Sequence, residues 1–391
     1  MKNICFLFIY IYASTAFGQS INRIDGSKIP VDSLDNKISY LMKHANVSGL
    51  AISIFNDNKP VYSKSFGYSN NLTRKPLNNY SVLVAASFSK MVFTYIVLQL
   101  VAEKVIDLDK PLVNYLKKPL TEYQFKEKNR GYQDLEGDNR YKRITARMCL
   151  THTTGFPNWR WFEEDDKLKF LFEPGTRYRY SGEGLLLLQF VIEQILGEDY
   201  EMISQKRVFK PLQMNLSSQI WQEQFDSLLS FGHNSKGEPY KPNKRTKPNA
   251  AGSMNTTLTD FTKFYVALIN GKGLKKRLFK EMTNSQVRIK SIRQFGPLSM
   301  VDGTDNDAIQ LGYGFGVGVL NSPYGRAFFK EGNDDGWQHY SICFTDKKIA
   351  IVIMTNSDNG DSIFKELLEV AIGDKYTPWQ WENYTPYNQR N

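Results

Sequence analysis

The chain has 391 residues, of which 41% are hydrophobic and 14% aromatic, so it has enough apolar material for one large domain or two smaller ones and is not a disordered polymer. Lys and Arg number 50 against 40 Asp and Glu, which gives a formal net charge of +10. The basic residues are spread along the chain without a basic stripe, which indicates solubility and a mild attraction for anionic material rather than nucleic-acid binding. Beyond the first residues, Cys149 and Cys343 each lie in an apolar stretch, and we expect buried thiols rather than a disulfide.

The first 18 residues follow the plan of a secretory signal peptide. Lys2 precedes an apolar run over 4–12, and small residues then lead to Gly18. A membrane anchor is the alternative, but the run is too short to span a bilayer. We expect cleavage near Gly18 and export to the periplasm or the medium, with no stable membrane anchor.

Helical and strand patterns begin soon after this leader. Asp32 and Ser33 are good N-caps, and the apolar residues that follow them recur at helical spacing. Two strands are predicted next, over 50–55 and 61–66, joined by a turn at 56–58.

The middle of the chain is mostly helical in pattern. Apolar periodicity predicts helices over 91–101, 185–196 and 258–269. The last of these is capped at Thr257 or Thr259. The charged stretch 122–143 has little periodicity and is predicted to be a surface excursion.

Strands return late in the chain. They are predicted over 313–320, 326–330, 338–345 and 349–355, followed by a helix around Leu367. Alternating glycines from Gly312 to Gly318 leave one face of the first strand bare, which predicts close packing against the helix after Ser87.

Strands at both ends with helices between them predict an α/β (α+β) fold. We expect an antiparallel sheet built from the N- and C-terminal segments and flanked by helices, with a mostly helical inserted subdomain at roughly 88–300. The domain is expected to span 19–374. The aromatic-rich tail, 375–391, is expected to pack over it.

Ser87 and Lys90 form the most informative pair of residues. Their three-residue spacing at a helix N-terminus places the amine and the hydroxyl on one face. The free N–H groups and the dipole of the first turn favour negative charge there. Since a serine hydroxyl needs a neighbouring base, Lys90 would act as a neutral amine or as an ammonium that lowers the pKa of a nearby phenol. The same spacing recurs over 362–365, so the pair gains its weight from other segments.

Three segments occur in a known order: Ser87-Phe88-Ser89-Lys90, Tyr180-Ser181-Gly182 and Lys330-Glu331-Gly332. This order resembles the serine β-lactamase and penicillin-binding-protein superfamily, which uses S-x-x-K, a Y-x-N type triplet, and K-T-G or H-x-G on a strand. The intervening segments are similar to the branch that contains class C β-lactamases and D-alanyl-D-alanine carboxypeptidases. The resemblance covers roughly residues 32–373.

The resemblance implies a role for each residue. Ser87 is the nucleophile and Tyr180 the general base, with Lys90 and Lys330 as two cations that favour its phenolate. Lys330 also meets the carboxylate of a substrate. The backbone N–H groups of Ser87 and Asn333 hold the oxyanion. The positions expected to contact the substrate are Gly182, Gly332 and Asn333.

Two departures from the family pattern bear on the substrate. Gly182 replaces the usual asparagine and cannot donate a side-chain hydrogen bond to an amide carbonyl. Glu331 stands where threonine or a small residue is common, and its carboxylate would pair with Lys330 or repel an anionic substrate. The alternatives for the lysine and the phenol are an edge-strand charge for Lys330 and a half-buried core aromatic for Tyr180.

The sequence therefore predicts an exported serine hydrolase that forms an acyl-enzyme on Ser87. Its substrates are expected to be D-amino-acid peptides, esters or β-lactams. The alternative is a non-catalytic binding protein or sensor for penicillin or cell-wall peptide in the same pocket. No cofactor or metal is expected, because the four histidines are scattered, and His152 is interpreted as structural and remote from the chemistry. The oligomeric state is left open.

Overall fold

The computed structural model of the protein describes residues 19–127 and 130–390. The predicted signal peptide lies outside this part of the chain. Its strands are β1 (Ser20–Asn22), β2 (Lys28–Pro30), β3 (Gly49–Asn56), β4 (Lys59–Asn70), β5 (Lys75–Pro76), β6 (Leu83–Val84), β7 (Asn255–Thr256), β8 (Val287–Arg288), β9 (Gly312–Tyr313), β10 (Gly318–Ser322), β11 (Gly325–Asp334), β12 (Trp337–Phe344) and β13 (Ile349–Thr355). Its α-helices are α1 (Val31–His44), α2 (Ser89–Ala102), α3 (Ala146–Leu150), α4 (Gly182–Leu196), α5 (Tyr200–Ser204), α6 (Leu258–Ile269), α7 (Lys276–Met282) and α8 (Phe364–Ala371).

Nine strands of the described residues form one antiparallel sheet, in the order β5-β4-β3-β13-β12-β11-β10-β9-β8. Its centre joins the two ends of the chain, because β3 pairs with β13 and Ile52 lies opposite Ile353. The segment between β6 and β8 holds α2 to α7 and the short strand β7. The predicted α/β (α+β) class, an antiparallel sheet built from both termini and flanked by helices, is confirmed.

The sheet separates two apolar cores. Alternate side chains along a strand point to opposite faces. On β3, Ile52 and Ile54 pack in the core that also contains residues of α1 and α8. Phe55 packs in the other core, with the residues of α2, α4 and α6. The central strands are thus buried on both sides, and β11, an interior strand of the sheet, packs against the 3₁₀ turn Ala86–Phe88 that leads into α2.

The hairpin and the Thr257 helix form as predicted. Asp57 and Asn58 turn the chain between β3 and β4 with φ values of 52° and 58°, as a two-residue hairpin turn requires. The helix α6 begins behind Thr257, whose side chain accepts a hydrogen bond from the N–H of Asp260. The turn and the helix start are therefore set by local residue types that can be recognised in the sequence.

The first helix begins earlier than expected. The extended backbone of Pro30 ends β2, and α1 starts at Val31, so neither Asp32 nor Ser33 is the N-cap. Asp32 lies in the first turn, where its negative charge still favours the helix dipole.

The predicted strand 313–320 is two strands. Gly316, with φ 68°, breaks it between β9 and β10. Of the alternating glycines, Gly316 is the one that packs on α2, since a Cβ there would overlap Thr94. Gly312 meets Ser285 instead.

The interpretation of 122–143 as a surface excursion is wrong in part. Tyr132 and Leu135 are buried in the helical core, because short 3₁₀ turns bring their side chains inward between charged neighbours. The tail packs over the body as expected, with Trp381 only 1% exposed. Both Cys149 and Cys343 are buried free thiols, as predicted. The helices of the described residues are all too short or too polar to cross a membrane.

Candidate active site

Ser87 lies in a tight turn at the start of α2. The 3₁₀ turn Ala86–Phe88 leads directly into the helix, and Ala86 has a φ of 47°, a left-handed conformation that is uncommon for alanine. The Ser89 hydroxyl donates to the Ala86 carbonyl at 2.7 Å and accepts the N–H of Met254 at 3.1 Å. This buried contact holds the strained turn and displays the Ser87 hydroxyl at the positive end of the helix.

Lys90 lies next to Ser87, one turn along α2. Its Nζ atom is 2.9 Å from Ser87 Oγ and 2.6 Å from the carbonyl oxygen of Ala251. The side chain is 1% exposed. Burial, with a further contribution from the positive charge of Lys330, holds the pKa of this amine well below its ordinary value. The geometry therefore favours an uncharged amine that can accept the proton of Ser87.

The ring of Tyr180 lies between two lysines. Lys90 Nζ is 4.9 Å and Lys330 Nζ 4.8 Å from the ring centroid. Lys330 Nζ also donates a hydrogen bond to the Tyr180 hydroxyl at 3.1 Å. The structure thus brings together Ser87, Lys90, Tyr180 and Lys330 from three distant segments.

The protonation of Tyr180 differs from the expected phenolate. Burial raises the pKa of the phenol, and the charge of Lys330 opposes this rise only in part. Burial also opposes the charge of Lys90, the second cation expected to favour the phenolate. Tyr180 is therefore a phenol that carries a transferable proton.

Glu331 pairs with Lys330 rather than pointing away from it. Lys330 Nζ donates to Glu331 Oε1 at 2.7 Å, and both side chains are buried. Burial alone would lower the pKa of Lys330, but Glu331 and Tyr180 outweigh it and raise the pKa, so this lysine is charged. The edge-strand alternative for Lys330 is excluded by its complete burial.

Gly182 is required by the packing at the start of α4. A Cβ at this position would lie 2.5 to 2.8 Å from three atoms of the Trp159 ring. The indole thus fills the volume that a side chain at 182 needs. Asn158 lines the cavity next to Ser87, and its Oδ1 accepts the N–H of Gly182 at 3.0 Å.

Strand β11 lies against the residues before Ser87. A Cβ at Gly332 would be 3.2 Å from the carbonyl oxygen of Ala85, so only glycine allows this approach without a shift. Asn333 follows on the strand and lines the same cavity as Ser87. The role of the Ser87 and Asn333 N–H groups as oxyanion donors stays a prediction.

Ser87, Lys90, Tyr180 and Asn333 line a cavity of about 1070 Å³, which is at the upper end of the size range of ligand sites. Lys330, Gly182 and Gly332 are not among its lining residues. Its outer wall is aromatic: Trp159 and Trp161 stack with centroids 4.8 Å apart and an interplanar angle of 9°. Arg179 and Arg245 also line the cavity, and Arg245 pairs there with Asp334 at 2.7 Å. The cavity therefore has room for a ligand considerably larger than a single acyl group.

His152 lies closer to the chemistry than expected. Its ring centroid is 4.4 Å from that of Tyr180, and its Nδ1 accepts the N–H of Ser181 at 3.1 Å. Burial and the nearby lysines hold its pKa well below the ordinary value, so it is neutral. It fixes the loop that carries Tyr180, which is a structural role beside the reacting groups.

Sequence reasoning missed Gln294, whose side chain contacts Glu331 at 2.8 Å. No local pattern marks it, because the two residues are brought together only by the folded chain. Among the described residues, no cluster of three or more His, Cys, Asp or Glu side chains has the arrangement of a metal site.

An antiparallel sheet flanked by helices, with a serine, two lysines and a tyrosine at the start of a buried helix, defines the serine hydrolases of the β-lactamase and penicillin-binding-protein superfamily. The chain belongs to the Beta-lactamase family, whose sequence model matches residues 34–372.

Individual relatives agree with this assignment. Penicillin-binding protein 4* of Bacillus subtilis (strain 168) is 24% identical over 351 residues, which cover 80% of this chain and 68% of that protein. The octameric penicillin-binding protein homologue from Pyrococcus abyssi superposes with a TM-score of 0.69 at 21% identity, over 90% of this chain and 80% of the other. The D-alanine carboxypeptidase AmpC from Burkholderia cenocepacia gives 0.63 at 19% identity, over 84% and 93%. These two structures share the fold with this chain.

Proposed function

We propose that this protein is an exported serine hydrolase that forms an acyl-enzyme on Ser87. The observation that carries the proposal is the 2.9 Å contact between Ser87 Oγ and the buried amine of Lys90, whose pKa is depressed. A neutral amine at this distance supplies the base that a serine nucleophile needs.

In the proposed acylation, Lys90 takes the Ser87 proton as Oγ bonds to the substrate carbonyl carbon. The carbonyl oxygen becomes an oxyanion, held by the backbone N–H groups of Ser87 and Asn333. The bond to the leaving group then breaks as the leaving group takes up a proton. The Tyr180 hydroxyl donates that proton and recovers one from the Lys90 ammonium.

Deacylation is proposed to run through the same groups in reverse. Lys90 accepts a proton from water as the water oxygen attacks the acyl carbon. Ser87 Oγ leaves and regains a proton, which returns through Tyr180. Lys330 stays charged throughout, because the Glu331 carboxylate balances its charge in the buried pair. The hydrogen bond from Lys330 to the Tyr180 hydroxyl orients the phenol.

Peptides built from D-amino acids, esters and β-lactams are the proposed substrates, with broad peptidase or esterase activity favoured over efficient β-lactam turnover. The Glu331 carboxylate competes for Lys330 with the carboxylate of a penicillin. At Gly182 there is no side chain to bind an amide carbonyl, and Trp159 fills the space. The names of the relatives, penicillin-binding protein and D-alanine carboxypeptidase, support an acyl substrate of this kind.

Export is proposed from the plan of the first 18 residues. Mass spectrometry of the protein from its native host should give a mature N-terminus near Gln19. A chain that retains Met1 or its neighbours would contradict this part of the proposal.

The hydrolase proposal is tested with a fluorescent penicillin and a p-nitrophenyl ester, followed by intact mass over time. We expect acylation of the wild type, release of the product, and a loss of at least about 10³-fold in Ser87→Ala. Unchanged hydrolysis in Ser87→Ala would overturn the assignment of the nucleophile.

A second candidate is a non-catalytic penicillin or cell-wall-peptide binding protein. Two features favour this candidate: the Trp159 ring fills the space beside Gly182, and Glu331 pairs with Lys330. Both are expected to slow turnover of a ligand more than they hinder its entry into the cavity. Stable acylation without release in the mass time course would support this candidate. No mass change and no hydrolysis with any lactam or ester would count against both.

A further inference from the structure

A continuous series of hydrogen bonds connects the C-terminal tail to Tyr180. The backbone N–H of Gln294 donates to the carbonyl oxygen of Trp381 at 2.8 Å. The side chain of Gln294 donates through Nε2 to Glu331 Oε1, also at 2.8 Å. The same carboxylate oxygen accepts from Lys330 at 2.7 Å, and Lys330 donates to Tyr180 at 3.1 Å.

Every side chain in this series is removed from solvent. Gln294 is 3% exposed and Glu331 6%, and Lys330 is completely buried. A polar group that loses its partner at such positions is poorly hydrated, and hydrogen bonds to charged groups are the strong ones. Each member therefore depends on its neighbour for its orientation.

The tail holds Gln294 in place. Trp381 is 1% exposed, and its indole N–H donates to Ser291 Oγ at 3.2 Å. The segment 291–295 is thus tied to the tail at two points. Its last residue, Phe295, packs edge-on against the ring of Tyr180 with centroids 5.4 Å apart.

Glu331 needs such a restraint. Its carboxylate borders the substrate cavity together with Ser87, and among the described residues its second oxygen, Oε2, has no hydrogen-bond partner. A carboxylate that turned into the cavity would repel the oxyanion of the reaction and leave Lys330 without its counter-charge.

We infer that Gln294 is a positioning residue that keeps the Glu331 carboxylate on Lys330, and that the C-terminal tail, through Trp381, is part of the active-site architecture. This inference rests on the proposed function. Gln294 acts through Glu331 and Lys330 on the phenol, and it does not itself contact the reacting atoms.

A double-mutant cycle tests this role, using kcat/KM for an ester that the wild type hydrolyses and Ser87→Ala does not. Gln294→Met keeps the length of the side chain and removes the donor. We expect it to lower kcat/KM about tenfold, mainly through kcat, because a hydrogen bond to a charged group is lost. In the Glu331→Thr background, the same change should cost less than about twofold, because no carboxylate remains to be held.

Gln205→Met is the matched control. Gln205 also donates to a glutamate, Glu201 Oε1 at 2.7 Å, but it lies outside the active-site cavity. We expect its kcat/KM to equal that of the wild type, whatever its melting temperature. Should Gln294→Met fail to fold, Gln294→Glu carries the test, since it keeps the length and replaces the donor with a repelling carboxylate.

Equal losses from the Gln294 change in both backgrounds would show a general effect on the loop and overturn the inference. An unchanged kcat/KM in Gln294→Met would also overturn the inference. A wild type that neither acylates nor hydrolyses any substrate would instead overturn the proposed function, so the two failures are distinguishable.

Discussion

Lys90 Nζ lies 2.9 Å from Ser87 Oγ in a site where burial disfavours the charged amine. An ammonium group at this position would stabilise a Ser87 alkoxide, but it could not accept the proton of the Ser87 hydroxyl. The neutral form can accept it, so the proposed reactivity of the pair depends on the burial of Lys90.

Lys90→Met should abolish this base, and kcat/KM should fall by about 10²–10⁴-fold. In the wild type, kcat/KM should fall as the pH is lowered, because protonation removes the base. This acid limb should be absent from the residual activity of the variant. A variant that retains both the rate and the acid limb would contradict the role of Lys90 as base.

The same substitution should increase stability at neutral pH. The pKa of Lys90 is lower in the folded than in the unfolded chain, so the unfolded chain binds more protons between the two values. The penalty on folding is complete below the folded pKa and disappears above the unfolded pKa, about 10.5. Thermal melts should therefore show the largest advantage of Lys90→Met at low pH and a shrinking one as the pH approaches 10.5. A constant difference across that range would contradict the depressed pKa.

Glu331→Thr should free Lys330 for the carboxylate of a substrate. We expect kcat/KM for a carboxylate-bearing β-lactam to rise about tenfold relative to its methyl ester, because a charged hydrogen bond becomes available. The methyl ester serves as the internal control for any general effect of the change. An unaltered ratio between acid and ester would show that Lys330 does not meet this group.

Gly182→Asn should destabilise the protein, because the new Cβ would overlap the Trp159 indole. Combined with Trp159→Ala, the asparagine has room, and its amide can bind the carbonyl of an acylamino side chain. The double variant should then acylate faster with benzylpenicillin and not with 6-aminopenicillanic acid, which lacks that carbonyl. Trp159→Ala alone is the control. An equal gain in its acylation rate would show that the effect comes from the space left by the indole and not from the asparagine amide.

Glu183→Ala should destabilise the start of α4. Glu183 is 1% exposed and accepts from Arg160 Nε at 2.9 Å and Nη2 at 2.8 Å. Removal of one partner leaves a buried charge, at a cost of about 3–5 kcal/mol in the free energy of unfolding. Arg277→Ala breaks the exposed pair with Glu281 and should cost less than about 1 kcal/mol. Similar losses in denaturant titrations of the two variants would contradict the buried pair as a stabilising contact.

The fold was predictable because its causes are periodic or local. Alternating and helical apolar patterns identified the strands at both ends and the helices between them. The turn at Asp57 and Asn58 and the cap at Thr257 follow from single residue types. The prediction for the charged stretch 122–143 was wrong in part, since Tyr132 and Leu135 are buried although their neighbours are polar.

The site was predictable in its members but not in its electrostatics. Motif order identified Ser87, Lys90, Tyr180 and Lys330, which the fold brings together. The protonation of Tyr180 depends on burial, which no local pattern gives. The contacts of Trp159 with Gly182 and of Gln294 with Glu331 join segments that are far apart in sequence, so only the folded chain reveals them.

The pairing of β3 with β13 has a consequence for biosynthesis. These partners stand near opposite ends of the chain, at Gly49–Asn56 and Ile349–Thr355, so the middle of the sheet closes only after nearly all of the polypeptide has been made. Lys330 on β11 and Trp381 in the tail are also synthesised late. A prematurely terminated product therefore lacks the partner strand that its first hairpin needs, and incomplete molecules are left without a reactive serine site.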